Sequence, residues 1–383
     1  MAAASRIYLD YNAAAPLRPE ARRAMTEAVA LTGNPSSAHR EGARVRGALE
    51  RARGQVAALI GARPADIVFT SGATEANNLA LAGVVERGSG LVTTAIEHAS
   101  VLEPAAALER SGVHVVRLPV ERDGTLVDGE LERACAARPR LVSIALANGE
   151  VGVLHDVAAV ASTAHATGAL VHTDAAQAAG RLRIDVAALG VDLLSLSSHK
   201  LGGPAGVGAL WIRPGLDVRP LLTGGPQERG RRAGTENVAG IVGFGAAAAA
   251  AADDLEAAAK RMRRGRDLLW SLLRESIPDV ERNGASWERT LPNTLNVTFL
   301  GVPGQSLLVL LDLGGVAASL GSACAAGSVE PSHVLRAMGA DEERARAGLR
   351  LSLGRDTTDD DVRRAAAVIV AAVRQIQRER AAS

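Results

Sequence analysis

The sequence predicts an α/β protein, with a mostly parallel sheet in a large domain that is joined to a smaller α+β domain. Short apolar segments of strand length alternate with helical segments as far as residue 252, which is the pattern of a parallel sheet. Two of these segments lead into the polar side chains of Asp174 and Lys200, as ligand-binding strands do in such sheets. After a run of seven alanines at residues 246–252, helices dominate and strands become sparse.

Bulk properties narrow the class of protein. The 383 residues suffice for two or three domains with large cores. Because 43 Lys and Arg balance 42 Asp and Glu, no direct nucleic-acid partner is expected. No segment has the apolar length of a signal peptide or a membrane span, and two cysteines do not make a disulfide framework. We therefore expect a cytoplasmic protein without membrane contact.

The large domain is expected to cover residues 14–252. Helices are predicted where Ala, Val and Leu recur at helical spacing, at residues 18–31 and 41–59. Strands are predicted from apolar runs bounded by Gly, Pro or polar residues, at residues 67–70, 90–98, 113–118, 141–147, 170–174, 191–196 and 206–213. The alanine run is expected to form a helix that joins the two domains, because alanine is the best helix former.

The small domain is expected to combine residues 1–13 with residues 253–383. Its predicted elements are a long helix, two strands and a closing helix, at residues 253–273, 293–299, 349–353 and 359–378. A loop rich in Gly, Ser and Ala around Cys324 lies between the two strands.

The pair Asp174 and Lys200 has a chemical logic. A lysine whose stem lies against apolar residues at a strand end can lose its proton and attack a carbonyl carbon. A lysine-bound pyridoxal phosphate also needs a carboxylate that keeps its pyridinium nitrogen protonated. The alternative for an isolated lysine in this position is a solvated surface side chain.

Two further segments are candidates for binding phosphate. Residues 71–75, Ser-Gly-Ala-Thr-Glu, follow a strand and open a helix, whose free N–H groups and dipole favour an anion. The alternative is an ordinary helix cap. Residues 223–237 form a loop rich in Gly and Arg, which composition alone describes equally well as a phosphate-binding or a solvated basic loop.

The two cysteines differ in their surroundings. Free cysteine is more often a buried apolar side chain than a reactive thiol, and Cys135 within a helical segment fits that description. Cys324 lies among small residues that pack little, so its sulfur is expected to be exposed and reactive.

These segments resemble the fold-type-I pyridoxal-phosphate enzymes of aminotransferase class V, and specifically the cysteine desulfurases with a long catalytic loop. The resemblance rests on Ser-Ser-His-Lys200, on His-Thr-Asp174-Ala-Ala-Gln177 and on the Cys324 loop, and it spans residues 8–377. It implies pyridoxal 5′-phosphate as cofactor, with Lys200 bonded to it, Asp174 at the ring nitrogen, Gln177 near the ring hydroxyl and His98 stacked on the ring and handling protons. It also implies a set of phosphate contacts from Ala73, Thr74, Ser197, His199 and, in the neighbouring subunit of a homodimer, Thr235.

The implied reaction converts L-cysteine to L-alanine. Arg350 and Asn148 would bind the substrate, and Cys324 would take the sulfur as a persulfide and pass it to an acceptor protein. The acceptor is left open between iron–sulfur cluster assembly, tRNA thiolation and DNA phosphorothioation. Alternatives are a transaminase, a selenocysteine lyase, and a scaffold protein of low activity.

Three positions depart from the pattern of the resemblance. Gly149 stands where relatives usually have a second asparagine, Ala14 and Ala15 stand where two threonines are common, and Leu320 replaces a small polar residue. An asparagine at position 149 would contact the cofactor and the substrate, so we expect Gly149 to affect cofactor affinity or turnover more than the type of reaction.

Overall fold

The computed structural model describes residues 6–321 and 330–382, and its main feature is a seven-stranded sheet. Within the described residues the strands are β1 Ile7–Tyr8, β2 Ile67–Thr70, β3 Gly90–Thr94, β4 His114–Leu118, β5 Leu141–Ser143, β6 Leu170–Asp174, β7 Leu193–Ser197, β8 Gly208–Ile212, β9 Val280–Asn283, β10 Thr294–Phe299, β11 Val316–Ala317 and β12 Gly348–Ser352. The large sheet has the order β2-β8-β7-β6-β5-β3-β4. Only β8 runs antiparallel to both of its neighbours there. The predicted fold class, α/β with a mostly parallel sheet, is confirmed.

Helices cover both faces of this sheet and build the rest of the molecule. They are α1 Pro19–Val29, α2 Arg40–Leu59, α3 Ala73–Val84, α4 Ala99–Arg110, α5 Glu130–Ala136, α6 Val157–His165, α7 Val186–Leu189, α8 Val238–Asp253, α9 Leu255–Ser276, α10 Gly304–Leu313, α11 His333–Ala337, α12 Glu342–Ala347 and α13 Asp359–Ala382. The alanine run forms the second half of α8, where its small side chains allow close packing against α1 and α2. A bend of 73° separates α8 from α9.

The second core belongs to the small sheet β12-β10-β9 and its helices. Helices α9 and α13 pack their apolar faces on this antiparallel sheet, and Leu269, Leu295, Leu351 and Ile369 are completely buried there. Strand β1 pairs with β11, so the N-terminal segment also contributes to this core. The boundary at residue 252 stays a prediction.

Two strands are shorter than the sequence predicts. Strand β3 ends at Thr94 and not at residue 98, and β5 ends at Ser143 and not at residue 147. In both places the chain leaves the sheet while it is still buried, because Glu97 accepts a hydrogen bond from the amide of Ala145 and holds the two loops together. Apolar sequence alone does not distinguish a buried loop from a buried strand.

No single helix in the described part of the chain is long and apolar enough to cross a membrane. Helices α8 and α9 meet both requirements, length and apolar composition, only when taken together as a pair bent by 73°.

The fold brings the predicted site together at one edge of the large sheet. Strands β3, β6 and β7 are parallel, so their carboxyl ends carry His98, Asp174 and Lys200 to the same side. The N-terminal segment runs across this edge and pairs with β12 through the bridge between Asp10 and Ser352.

Candidate active site

Lys200 lies in a short turn of 3-10 helix, Ser198–Lys200, directly after β7. Its Nζ donates to the backbone oxygens of Asn12, at 2.6 Å, and of Ala13, at 2.9 Å. Burial is the main cause that lowers the pKa of this amine to about 8, with help from the nearby guanidinium groups of Arg181 and Arg350. A substantial neutral fraction near pH 8 makes this lysine a competent nucleophile and base.

Asp174 ends β6 beside the strand that leads to Lys200. Its carboxylate is buried and accepts from Asn77 Nδ2 at 2.7 Å and from the amide of Ala176 at 2.9 Å. These two donors fix the orientation of the carboxylate at the sheet edge, close to Lys200.

His98 caps the N-terminus of α4. Its Nδ1 accepts from the amide of Ser100 at 3.0 Å and lies 2.7 Å from Ser100 Oγ. Although the residue is exposed to the open cleft, partial burial of its ring lowers the imidazole pKa, and the positive charge of Lys200 adds to this effect. The ring is therefore neutral at neutral pH.

The candidate phosphate contacts surround the N-terminus of α3. Ala73 and Thr74 occupy its first turn, where backbone N–H groups have no partner within the helix. From β7, Ser197 Oγ lies 3.0 Å from His199 Nδ1. Burial, and secondly the charge of Lys200, lower the pKa of His199 to about 4, so this imidazole is a neutral hydrogen-bonding group.

Gln177 fills the space that a side chain at position 149 would occupy. A Cβ built on Gly149 would lie 2.8 Å from Gln177 Nε2, which instead donates to the backbone oxygen of Asn12 at 3.0 Å. Gln177 Oε1 accepts from Arg181 at 2.9 Å. The backbone of Gly149 is outside the left-handed region, so this glycine is not required by its φ angle.

Asn148 is buried, and its amide is engaged by the backbone. Its Nδ2 donates to the oxygen of Ile96 at 2.8 Å, and its Oδ1 accepts from the amides of Glu150 and Val151 at 2.8 and 3.0 Å. In this conformation Asn148 shapes the loop after β5, and its predicted contact with substrate stays a prediction.

Arg350 projects from β12 toward the same edge. Its guanidinium donates to Asp10 Oδ1 at 2.8 Å and to the backbone oxygen of Gly149 at 3.2 Å. Its buried Nε has no hydrogen-bond partner among the described residues. A guanidinium that already holds the carboxylate of Asp10 suits a carboxylate ligand.

Asn12 is the central residue that the sequence did not reveal. Its backbone oxygen receives both Lys200 and Gln177, and its Nδ2 donates to the oxygen of Gly149 at 3.1 Å. Arg181 was missed as well, although it is buried, donates to Gln177 and to the oxygen of Tyr11, and has its pKa lowered by burial to about 10. All the side-chain partners of Asn12 lie far away along the chain, whereas Arg181 combines a local partner, Gln177, with the distant Tyr11.

Comparison with known proteins identifies the family of this chain. Residues 7–365 match the family described as aminotransferase class-V. The chain belongs to the aminotransferase class-V family. It is 43% identical over 361 residues to "Cysteine desulfurase IscS" of Dictyoglomus turgidum, which covers 93% of this chain and 91% of that protein.

Solved structures of this class-V family agree. A "NIFS-LIKE PROTEIN" superposes with a TM-score of 0.89 at 37% identity, over 96% of this chain and 98% of that one. A structure described as "SspA in complex with cysteine" has a TM-score of 0.80 at 34% identity, over 92% of this chain and 100% of that one. The predicted family and the predicted cofactor, pyridoxal 5′-phosphate, are confirmed.

The residues present fit this class-V cofactor. An amine of lowered pKa and a buried carboxylate, Lys200 and Asp174, come from neighbouring parallel strands. A helix N-terminus and the neutral imidazole of His199 provide donors for a phosphate nearby. Lys200, Asp174, Gln177 and His98 would hold the ring, and Ala73, Thr74, Ser197 and His199 the phosphate.

Two predicted residues remain, Cys324 and Thr235. Cys324 lies outside the described residues, whereas Cys135 is fully buried in α5, where burial raises the pKa of its thiol. Thr235 is exposed on the loop 223–237. A buried ion pair anchors this loop, with Arg53 donating to both carboxylate oxygens of Glu228 at 2.7 and 2.8 Å.

Proposed function

We propose that this chain is a pyridoxal-phosphate-dependent cysteine desulfurase. The observation that carries the proposal is the connection between Lys200 and Arg350 across the cleft. Lys200 donates to the backbone oxygen of Asn12, Asn12 donates to the oxygen of Gly149, and Arg350 donates to that same oxygen. One cleft thus offers an amine for the cofactor and a guanidinium for the carboxylate of an amino acid. The names of the relatives support cysteine as that amino acid.

The reaction balances with Cys324 as acceptor. The Cβ–S bond of L-cysteine breaks, its electron pair stays with carbon, and a sulfur–sulfur bond forms to Cys324. L-cysteine and the Cys324 thiol become L-alanine and a Cys324 persulfide, so that no external oxidant or reductant is needed.

Each residue then has a task. Arg350 binds the substrate carboxylate, for which Asp10 already marks one position of a carboxylate oxygen. Lys200, with its lowered pKa, moves the proton of the substrate Cα. The cofactor, when bound, supplies an electron sink, and Asp174 keeps its ring nitrogen protonated.

The proposal extends to assembly and partners. The chain acts as a homodimer in which Thr235 reaches the phosphate of the neighbouring subunit, and its exposure on a well-anchored loop supports this. Sulfur passes from Cys324 to an acceptor protein in the cytoplasm, with iron–sulfur cluster assembly as the main pathway, in line with the names of the relatives.

Absorption spectra test the proposal. The protein purified with pyridoxal phosphate should be yellow, and borohydride should abolish the colour. Cysteine should change the spectrum and yield alanine and sulfide in the presence of a thiol reductant. Lys200→Ala should lose both the colour and the turnover. A protein that transfers the amino group of its substrate to a 2-oxo acid such as 2-oxoglutarate, or acts on selenocysteine but not cysteine, would refute the cysteine desulfurase.

A further inference from the structure

A chain of hydrogen bonds links His98 to Asp174 through two residues, Asn77 and Ser100, to which the sequence analysis assigned no role. His98 Nδ1 lies 2.7 Å from Ser100 Oγ, and Ser100 Oγ accepts from Asn77 Nδ2 at 2.8 Å. The same Nδ2 donates to Asp174 Oδ2 at 2.7 Å. Ser100 and Asn77 are both buried, so water does not compete for these bonds.

The protons along this chain can be assigned by counting donors. A carboxylate only accepts, so the amide nitrogen of Asn77 must face Asp174, and its two N–H groups serve Asp174 and Ser100. Asn77 Oδ1 is left buried without a partner among the described residues. Because Asn77 Oδ1 gains no hydrogen bond in this orientation, we infer that the carboxylate of Asp174 sets the orientation of the amide.

Ser100 is the next member of this chain of hydrogen bonds. His98 Nδ1 accepts from the backbone N–H of Ser100 and therefore carries no proton, so the Ser100 hydroxyl, which accepts from Asn77, directs its own proton to that nitrogen. The backbone N–H of Ser100 points at the same nitrogen, at 3.0 Å. With two donors on Nδ1, the proton of the neutral imidazole must lie on Nε2.

We propose that Ser100 and Asn77 are positioning residues that hold His98 neutral, with its Nε2–H toward the cleft, and couple it to Asp174. The inference rests on the proposed function and deepens it. His98 then presents a hydrogen-bond donor to the bound substrate, and Lys200 is the group that can accept the proton of Cα.

The electrostatic surroundings agree with a neutral ring. Burial lowers the pKa of His98, and the positive charges of Lys200, after β7, and His333, on α11, lower it further. Asp174, on β6, acts in the opposite direction. The Ser100 hydroxyl also lowers the pKa of His98, because protonation of Nδ1 would break the bond from the backbone amide and displace the hydroxyl proton.

Nitrogen NMR of the holoenzyme labelled with ¹⁵N-histidine tests the proposal, with His98→Gln to assign the signal among the eight histidines. In the wild type, Nε2 should carry the proton. Ser100→Ala should raise the pKa of His98 by roughly 0.4–1 unit, the equivalent of one hydrogen bond. Ser100→Thr, which keeps the hydroxyl, should restore the wild-type pKa.

A double-mutant cycle tests the link to Asn77. Asn77→Ala should raise the pKa of His98 in the wild-type background but have almost no effect on it in Ser100→Ala, because the coupling runs through the hydroxyl. A wild-type proton on Nδ1, an unchanged pKa in Ser100→Ala, or additive effects of the two substitutions would each overturn the proposal. The NMR readout needs no turnover, so a protein that shows the predicted tautomer but does not consume cysteine would contradict the function alone.

Discussion

Arg350 shows at the scale of one residue how the protein prepares a carboxylate site. The guanidinium is buried, one of its nitrogens is bound by Asp10, and its Nε has no partner among the described residues. A free donor on a buried cation is costly unless a ligand uses it. The guanidinium of Arg350 is therefore held in one orientation, while its Nε–H makes no hydrogen bond to the described residues.

We predict that Arg350→Ala weakens cysteine binding at least tenfold. Loss of a charge-assisted contact costs about 1.5–3 kcal/mol, and the cofactor spectrum should be unchanged because Arg350 lies at the substrate end of the cleft. The half-saturation concentration for cysteine measures the effect. An unchanged value would show that another cation holds the carboxylate.

Gly149 yields a second prediction at this scale. Gly149→Asn should raise turnover or cofactor retention several-fold, since one added hydrogen bond is worth roughly 0.5–1.5 kcal/mol. A Cβ at this position would lie 2.8 Å from Gln177 Nε2 and 3.2 and 3.3 Å from Gln177 Cδ and Cγ, so Gln177 must shift away from its bonds to Asn12 and Arg181, whereas the backbone of Gly149 lies outside the left-handed region and adds no strain. Gly149→Ala displaces Gln177 in the same way without adding an amide and is the control. Equal behaviour of the two variants would show that the missing amide is irrelevant.

At the scale of the elements, the loops after β3 and β5 are buried around two carboxyl groups. Glu97 accepts from Thr94 at 2.8 Å and from Ala145 at 3.0 Å, and Glu150 accepts from Ser332. Burial is the main cause that raises the pKa of each to about 7. Both loops therefore carry a group that is easier to bury as the neutral acid.

We predict that the carboxyl groups of Glu97 and Glu150 make the protein less stable as pH rises from about 4.5 to 7. Their pKa is higher in the folded than in the unfolded state, so the stabilisation is complete below the unfolded value and is lost as pH passes the folded value. Glu97→Gln mimics the neutral acid and should flatten this dependence and raise the melting temperature at pH 8. Urea unfolding from pH 5 to 8 measures it. A slope identical to that of the wild type would contradict the raised pKa of Glu97.

The sequence predicted the elements whose signal is local. Strands β6 and β7 were recognised because each begins with adjacent apolar residues and has the length of a strand, and the N-terminus of α3 because glycine and hydroxyl residues precede it. The ends of β3 and β5 were wrong, because a carboxyl group from one loop bonds the amide of the other. Asn12 escaped notice because its partners are tertiary, and Arg181 because its local bond to Gln177 gives no sign of the distant bond to Tyr11.

At the scale of the whole molecule, the N-terminal segment joins the two sheets at the active site. Asn12 is buried and bonds Gly149 beside the large sheet and Thr294 in β10 of the small one, at 3.1 and 2.9 Å. Its Oδ1 accepts from Asn293 at 2.9 Å. The cleft therefore depends on a few polar contacts between the two parts of the chain.

We predict that Asn12→Ala lowers the free energy of unfolding by about 1–3 kcal/mol, because it leaves buried donors and acceptors unpaired. It should also raise the half-saturation concentration for cysteine, since Gly149 loses a donor beside Arg350. Asn34→Ala removes an asparagine that is exposed and bonds only locally, and should be nearly neutral. Equal stability of the two variants would refute the joining role of Asn12.

The most direct test of the account is a single turnover without reductant. The holoenzyme mixed with one equivalent of L-cysteine should release alanine in an amount equal to the sulfur gained by the protein. Peptide mass spectrometry should find that sulfur on Cys324, with Cys135→Ser behaving as the wild type and Cys324→Ser forming neither product. Alanine release without sulfur on Cys324, or sulfur on Cys135 alone, would contradict the account.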